Sequence, residues 1–360
     1  MKILYDSQAF GIQKFGGVSR YFYKLNECGK DYFEGFVSGI YSDNIYAPLV
    51  SNMKPFPLRN SFKGKSRLIN AINQIADIKA IKKGGYDVYH PTYYCVPKYQ
   101  DQKPMIVTAH DFIHEIYPEN FSSKDNTVFC KKKSLERADR IIAISEWTKN
   151  DLLKFYPKVK ADKIDVVYHA IEWMPREKKT LQLKVKKPYI LFTGQRKGYK
   201  NFAALAKAAA SSMISNDLFL VCTGSPFTEE EKSLFDKLGI LNRVFQFFAS
   251  EDQLRSLYEN ALFFCFPSLY EGFGFPILEA FVSKCPLLLS HASCFPEIAG
   301  DAALYFDPND EADFKGKVSQ LIQSETLRRE LVKKEGERLS VFSIPKMIEK
   351  TAAVYTKALE

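Results

Sequence analysis

A chain of 360 residues is too long for one ordinary core and comfortable for two domains. Its apolar share of 46% and charged share of 26% exclude a disordered polar chain. The net charge of +9 favours an anionic partner (phosphate, nucleic acid or a membrane surface) without choosing among them.

The opening MKILYD reads as a buried strand, with no cleavable leader and no membrane-spanning apolar run after it. The strands that follow in the first half are GFVSGIY, DVYH, MIVTAHD, RIIAIS and IDVVYHA. Those of the second half are YILFTG, LFLVCTG, VFQFF, LFFCFPS and PLLLS. Helix-length segments separate them, which indicates parallel βαβ units covered on both faces. Two such sets predict two doubly wound Rossmann-like domains, each with its ligand edge at the strand carboxyl ends. The polar stretch MPREKKTLQLKVKKP places the boundary near Trp173, giving domains 1–172 and 173–344. A final helix over 345–360 is free to cross back onto the first domain. Seven scattered cysteines, never in C-x-x-C spacing, suggest neither a disulfide framework nor zinc and fit a reducing, cytoplasmic setting.

Between Ser66 and Gly84 isoleucines recur every third residue: Ile69, Ile72, Ile75, Ile78 and Ile81. Lys63, Lys65 and Arg67 precede them, Lys79, Lys82 and Lys83 close the segment, and Asp77 is the lone acid inside. One reading is a core helix with a solvated face. The other is a basic surface, Lys63–Lys83, that rests on anionic lipid.

Three loops at strand ends carry candidate chemistry. FGGVSRY follows the first strand, and Gly16 and Gly17 let backbone N–H groups face a ligand. It lacks the G-x-G-x-x-G dinucleotide pattern. VTAHDFIHE sets His110 at a ligand edge, with a role at the reacting centre. His114 stands four residues on, but H-E-x-x-H is absent, and a neighbour-satisfied histidine is the better reading for it. QRKGYKN, after Gly194, supplies Arg196, Lys197 and Lys200, suited to a diphosphate unless the run is only a solvated basic loop.

The stretch SLYEGFGFPILEA brackets Gly-Phe-Gly-Phe-Pro between Glu271 and Glu279. Gly272 and Gly274 permit close backbone approach, and Pro276 suits a helix start whose N–H groups face a phosphate. Glu271 would precede that helix and Glu279 lie in its first turn. Carboxylates repel phosphate, so they would accept hydrogen bonds from sugar hydroxyls; the plain alternative is a helix start with a dipole-favouring acid. D-x-D and G-x-x-x-x-G-K-[ST] are both missing, so Arg196, Lys200 and backbone dipoles would have to balance a diphosphate without metal.

With these motifs the chain resembles the retaining glycosyltransferases of family 4, of GT-B fold, in which two Rossmann-like domains face each other across a cleft. FTGQRKGYKN, FPSLYEGFGFPILEA and PEIAGDAALYFDP carry the resemblance most strongly, with FGGVSRY, VTAHD and RIIAISEWTKNDL in the first half. Gln195 departs from the usual arrangement before the arginine. The resemblance implies that Arg196 and Lys200 hold the donor diphosphate and that Glu271 faces the transferred sugar. It further implies that Glu279 holds the ribose, and that Gly272, Phe273, Gly274 and Phe275 form the turn against phosphate or sugar. Gly16 and Gly17 would close on the donor, and His110 would stand at the sugar. The R-x-G-Y-K-N form is similar to that of bacterial surface-polysaccharide mannosyltransferases. It therefore implies a nucleotide-sugar donor, GDP-mannose first, and a glycan acceptor carried on lipid at the inner membrane face. No cofactor, metal or nucleic acid is expected. The alternatives are a UDP-sugar transferase, another GT-B enzyme such as an epimerase, or a non-catalytic sugar-nucleotide-binding subunit.

Overall fold

The computed structural model describes residues 1–12, 14, 16–57, 64–94, 102–173, 188–196 and 198–360. Lys63, Lys197 and the polar stretch 174–187 lie outside them. The chain forms two compact units, Met1–His169 with Ile344–Glu360, and Ala170–Ser343. The units part at 169/170 rather than at 172/173.

In the first unit the strands are β1 (Lys2–Tyr5), β2 (Glu34–Val37), β3 (Val88–His90), β4 (Ile106–Ala109), β5 (Arg140–Ala143) and β6 (Ile164–Val166). They pair in parallel in the orders β2-β1-β3 and β4-β5-β6. A parallel bridge from Tyr89 to Met105 links the two sheets. β4 is buried at every position, as a strand covered on both faces must be. The last helix, Ile344–Leu359, belongs to this unit and is pinned at its tip. The Tyr355 hydroxyl lies 2.9 Å from both the Tyr5 hydroxyl and His90 Nδ1, while Lys357 pairs with Asp165 at 2.6 Å.

The second unit contains β7 (Tyr189–Phe192), β8 (Phe219–Thr223), β9 (Val244–Phe247), β10 (Phe263–Phe266), β11 (Leu287–Ser290) and β12 (Leu304–Phe306). Their order, β12-β11-β10-β7-β8-β9, is that of a doubly wound sheet. β12, only three residues long, is absent from the strands expected from sequence. The strand order reverses between β7 and β10, so a crevice opens at their carboxyl ends. Beneath it, Phe192, Phe202, Leu205, Leu220 and Cys222 fill one continuous core.

The isoleucine-rich segment is a helix, Lys65–Lys83. Its buried face is Ile69, Asn73, Asp77 and Ile81, while Ile75 is 57% exposed. Asp77 is therefore no surface acid. Its carboxylate accepts from Ser7 N–H (3.2 Å), Ser7 Oγ (2.7 Å) and Ser38 Oγ (2.5 Å). Burial and the neighbouring Asp6 push its pKa up to about 7.

Candidate active site

Gly194, two residues past β7, adopts a left-handed conformation (φ +101°) that favours glycine. Beside it, Gly224 ends β8 at φ +114°, and a β-carbon there would stand 2.9 Å from the Gly194 carbonyl. Gly224 is what lets the strand ends approach so closely; a β-carbon at Gly194 would meet open space, and only its positive φ favours glycine there. The chain then turns through a short 3-10 segment, Gly198–Lys200, into the helix Phe202–Ser215.

The loop after β10 meets this turn directly. Leu269 N–H donates to the Tyr199 carbonyl at 2.7 Å, and Lys200 Nζ pairs with Glu271 Oε1. The lysine also lies 5.1 Å from the Tyr199 ring and 5.6 Å from Phe266. Glu271 is held at its backbone, where its N–H donates to Ser293 Oγ at 3.2 Å. Ser293 adopts φ +48°, a strained setting for a residue with a β-carbon. The side chains of Lys200 and Glu271 are 18% and 13% exposed, which leaves the pair within reach of a ligand.

Gly274 caps the helix Phe275–Val282 at φ +90°, with Pro276 in its opening turn. Gly272 and Gly274 are buried, Phe275 is half-buried, and Phe273 turns inward, edge-on to Phe342 at 5.8 Å. Glu279 is the fifth residue of the helix and so lies in its second turn, not its first. Its carboxylate accepts from the Tyr258 hydroxyl at 3.1 Å, which in turn lies 3.1 Å from Thr193 Oγ1 at the end of β7.

Arg196 is not a loose surface base. Its side chain is 5% exposed, and Nε donates to Glu231 Oε1 at 2.8 Å. Nη2 donates to the carbonyls of Ser225 (2.6 Å) and Pro226 (2.9 Å). Both bases assigned to a diphosphate thus already face carboxylates.

Gly16, Gly17 and His110 belong to the first unit. Gly16 has an extended backbone (φ 179°) and caps the helix Gly17–Cys28, its carbonyl accepting from Arg20 N–H at 3.0 Å. His110 is buried, its N–H donates to the Tyr94 hydroxyl at 2.8 Å, and its ring stacks at 6.1 Å on His169. Tyr21 meets both imidazoles edge-on, at 6.2 and 4.5 Å. Burial pulls the His110 pKa down to about 4, with Asp111 opposing and Lys131 assisting. His114 stacks on Phe121 at 3.7 Å, 3.6 Å from Asp125.

Sequence reasoning missed Gly224, Glu231, Tyr258, Ser293 and His169. TEEE at 228–231 is a visible capping-box pattern, but it announces a helix start rather than an arginine's partner.

Two units built on parallel sheets, the second doubly wound, define the GT-B class of fold. The comparisons identify the family. The profile described as "Glycosyl transferases group 1" matches residues 174–338, and that described as "Glycosyltransferase Family 4" matches residues 15–172. The chain belongs to the family 4 glycosyltransferases. It is 28% identical over 244 residues to the O-antigen chain mannosyltransferase RfbU of Salmonella typhimurium, covering 68% of this chain and 67% of that one. It is 26% identical over 257 residues to O-antigen chain mannosyltransferase B of Escherichia coli, covering 67% and 66%. The aligned stretch thus spans about two thirds of these relatives. Among solved structures, Anabaena HepE in complex with UDP and glucose superposes with a TM-score of 0.75 at 17% identity, covering 99% of this chain and 100% of that one.

Proposed function

We propose that the protein transfers mannose from GDP-mannose to a growing surface glycan, with retention of anomeric configuration and without metal. The observation that carries this reading is the Lys200–Glu271 pair at the switch point, with Glu279 in the helix that follows. A donor diphosphate entering there takes Lys200 from Glu271 and satisfies its charge. Glu271 is then released toward the hydroxyls of the transferred sugar, and Glu279 serves the ribose. Arg196 and backbone N–H groups stabilise the leaving diphosphate, whose oxygen takes the acceptor proton in a front-face attack. The buried, neutral His110 is a hydrogen-bonding partner for sugar hydroxyls, with Gly16 and Gly17 supplying backbone N–H groups. Mannose is supported by the two O-antigen relatives. A UDP-hexose is the second reading, favoured by the fold likeness to HepE with its UDP and glucose.

The acceptor in this reading is lipid-linked, and the protein works at the cytoplasmic membrane face. The helix Lys65–Lys83 supports that placement, with Leu68 and Ile75 44% and 57% exposed beside exposed Arg67, Lys79, Lys82 and Lys83. Each base near an anionic bilayer is worth roughly 1 kcal/mol. No helix among the described residues is long and apolar enough to cross a membrane.

The test is a thermal-shift panel of GDP-, UDP- and ADP-sugars in chelator, followed by transfer from the binding donor to extracted lipid-linked glycan. A donor at about 100 times its Kd should add about 2.7 kcal/mol of stability. No stabilisation by any sugar nucleotide overturns the reading.

A further inference from the structure

We propose that Glu231 is a positioning residue that clamps Arg196 into the orientation needed to grip a nucleoside diphosphate. The inference rests on the reading above but concerns a residue to which it assigns nothing. An arginine has five N–H donors in a rigid plane. Here Nε is taken by Glu231 Oε1, and Nη2 by the Ser225 and Pro226 carbonyls, with Glu231 Oε2 at 3.3 Å. The rings of Phe227 and Phe202 lie 4.7 and 5.8 Å from the guanidinium carbon. The plane is therefore fixed on three sides. Among the described residues Nη1 has no such partner, and it lies 3.8 Å from where a β-carbon of Gly224 would stand. That edge borders the carboxyl ends of β7 and β8, at the Gly194–Gly224 approach.

Glu231 is itself immobilised. It is the third residue of the helix Glu229–Lys237, where its Oε2 accepts from Thr228 N–H at 2.7 Å and its own N–H donates to Thr228 Oγ1 at 3.2 Å. A helix start thus holds the carboxylate, and the carboxylate holds the guanidinium. Because Glu231 balances the arginine's charge, Arg196 contributes directed hydrogen bonds to a phosphate more than net attraction. An unclamped arginine would have to be ordered at each binding event, at a cost in side-chain entropy.

Clamping and competition predict opposite results. Glu231→Gln preserves shape and the capping acceptor but loses the charged fork. With GDP and the sugar nucleotide that most stabilises the wild type as probes, clamping predicts a Kd roughly tenfold weaker, about one charge-assisted hydrogen bond. Donor KM should rise by a similar factor, with kcat changing much less. An unchanged or tighter Kd overturns the proposal, the latter because Glu231 would then compete with phosphate. Thr228→Ala controls for helix capping: it should lower Tm by about 2–4 °C and leave Kd within about twofold. If Thr228→Ala weakens Kd as much as Glu231→Gln does, the effect belongs to the helix and the proposal fails. Arg196→Lys should cost much less affinity when combined with Glu231→Gln than in the wild type, because the clamp is already lost. Additive losses would contradict it. In ligand-free protein, the Arg196 Nε–H resonance should exchange slowly and lose that protection in Glu231→Gln. That readout needs no donor. Its failure sinks the clamp alone, whereas a protected resonance without donor binding sinks the proposed function.

Discussion

At the strand ends of the second unit, the charges are paired but reachable: Lys200 and Glu271 are 18% and 13% exposed and meet across two loops. At the ends of β3, β4 and β6 in the first unit, polarity is buried and neutral. His90 ends β3, and His110 and His169 follow β4 and β6. Burial lowers the pKa of all three, and tyrosines lie against their rings. One parallel-sheet architecture thus ends its strands in two kinds of polar surroundings. An exchangeable ion pair such as Lys200–Glu271 suits a diphosphate, whose charge can replace a carboxylate's. The His90 ring is already spent on the Tyr355 and Thr108 hydroxyls; a neutral imidazole such as that of His110 suits an uncharged sugar, whose hydroxyls need donors and acceptors but no counter-charge.

The sharpest way to break this contrast is Lys200→Ala. Losing one preorganised donor to the leaving group is expected to lower kcat by about 10²–10³ with the fold retained. Wild-type turnover at saturating donor would remove Lys200 from the mechanism and leave the pair as a structural tie. In the first unit the corresponding loss should fall on stability instead. Tyr355→Phe strands both His90 Nδ1 and the Tyr5 hydroxyl, for an expected cost of about 1–3 kcal/mol in urea unfolding.

Buried groups should also make stability depend on pH, with signs that differ by group: in the first unit Asp77, raised to about 7, loses stability as pH rises toward 7, whereas His110 gains it. The folded pKa of His110 is about 4, so the unfolded chain binds the extra proton between there and about 6.5. Its stabilising contribution is complete above that window and lost as pH falls through it, about 1–2 kcal/mol between pH 7 and pH 5. His90, lowered to about 3 by burial and then by His110, adds in the same direction. In the second unit, Glu335 is fully buried, neither carboxyl oxygen has a partner among the described residues, and burial pushes its pKa up to about 9. There the folded state holds the extra proton, so stability falls as pH rises from the unfolded value toward 9. The slope is at most about 1.4 kcal/mol per pH unit. Glu335→Gln should flatten the midpoint between pH 7.5 and 8.5, the smallest of these effects. An unchanged slope in that variant would show that the carboxyl finds a partner in solution.

What could be read from sequence divides along the same physical line. The buried strands stand out as unbroken apolar runs, and the loops at their ends as glycines with charges. β12 hides because its three residues sit in a turn-rich segment. The isoleucine repeat misleads about the helix Lys65–Lys83, since a three-residue step drifts roughly 60° around a helix. Burial there follows every fourth residue, through Asn73 and Asp77, because distant partners satisfy them. Asn73 Oδ1 accepts from Ile40 and Tyr41 N–H at 2.9 and 3.0 Å. Lys200 and Glu271 are legible as residue types, but not as each other's partner across 71 residues. The Arg196–Glu231 contact is invisible for the same reason.

The most direct test is calorimetric titration of GDP-mannose and of a UDP-hexose in chelator, into the wild type and Lys200→Ala. One of the two donors should bind the wild type without metal, and Lys200→Ala should weaken that binding by roughly 10- to 100-fold. Equal affinity in both proteins, or no binding to the wild type, would contradict it.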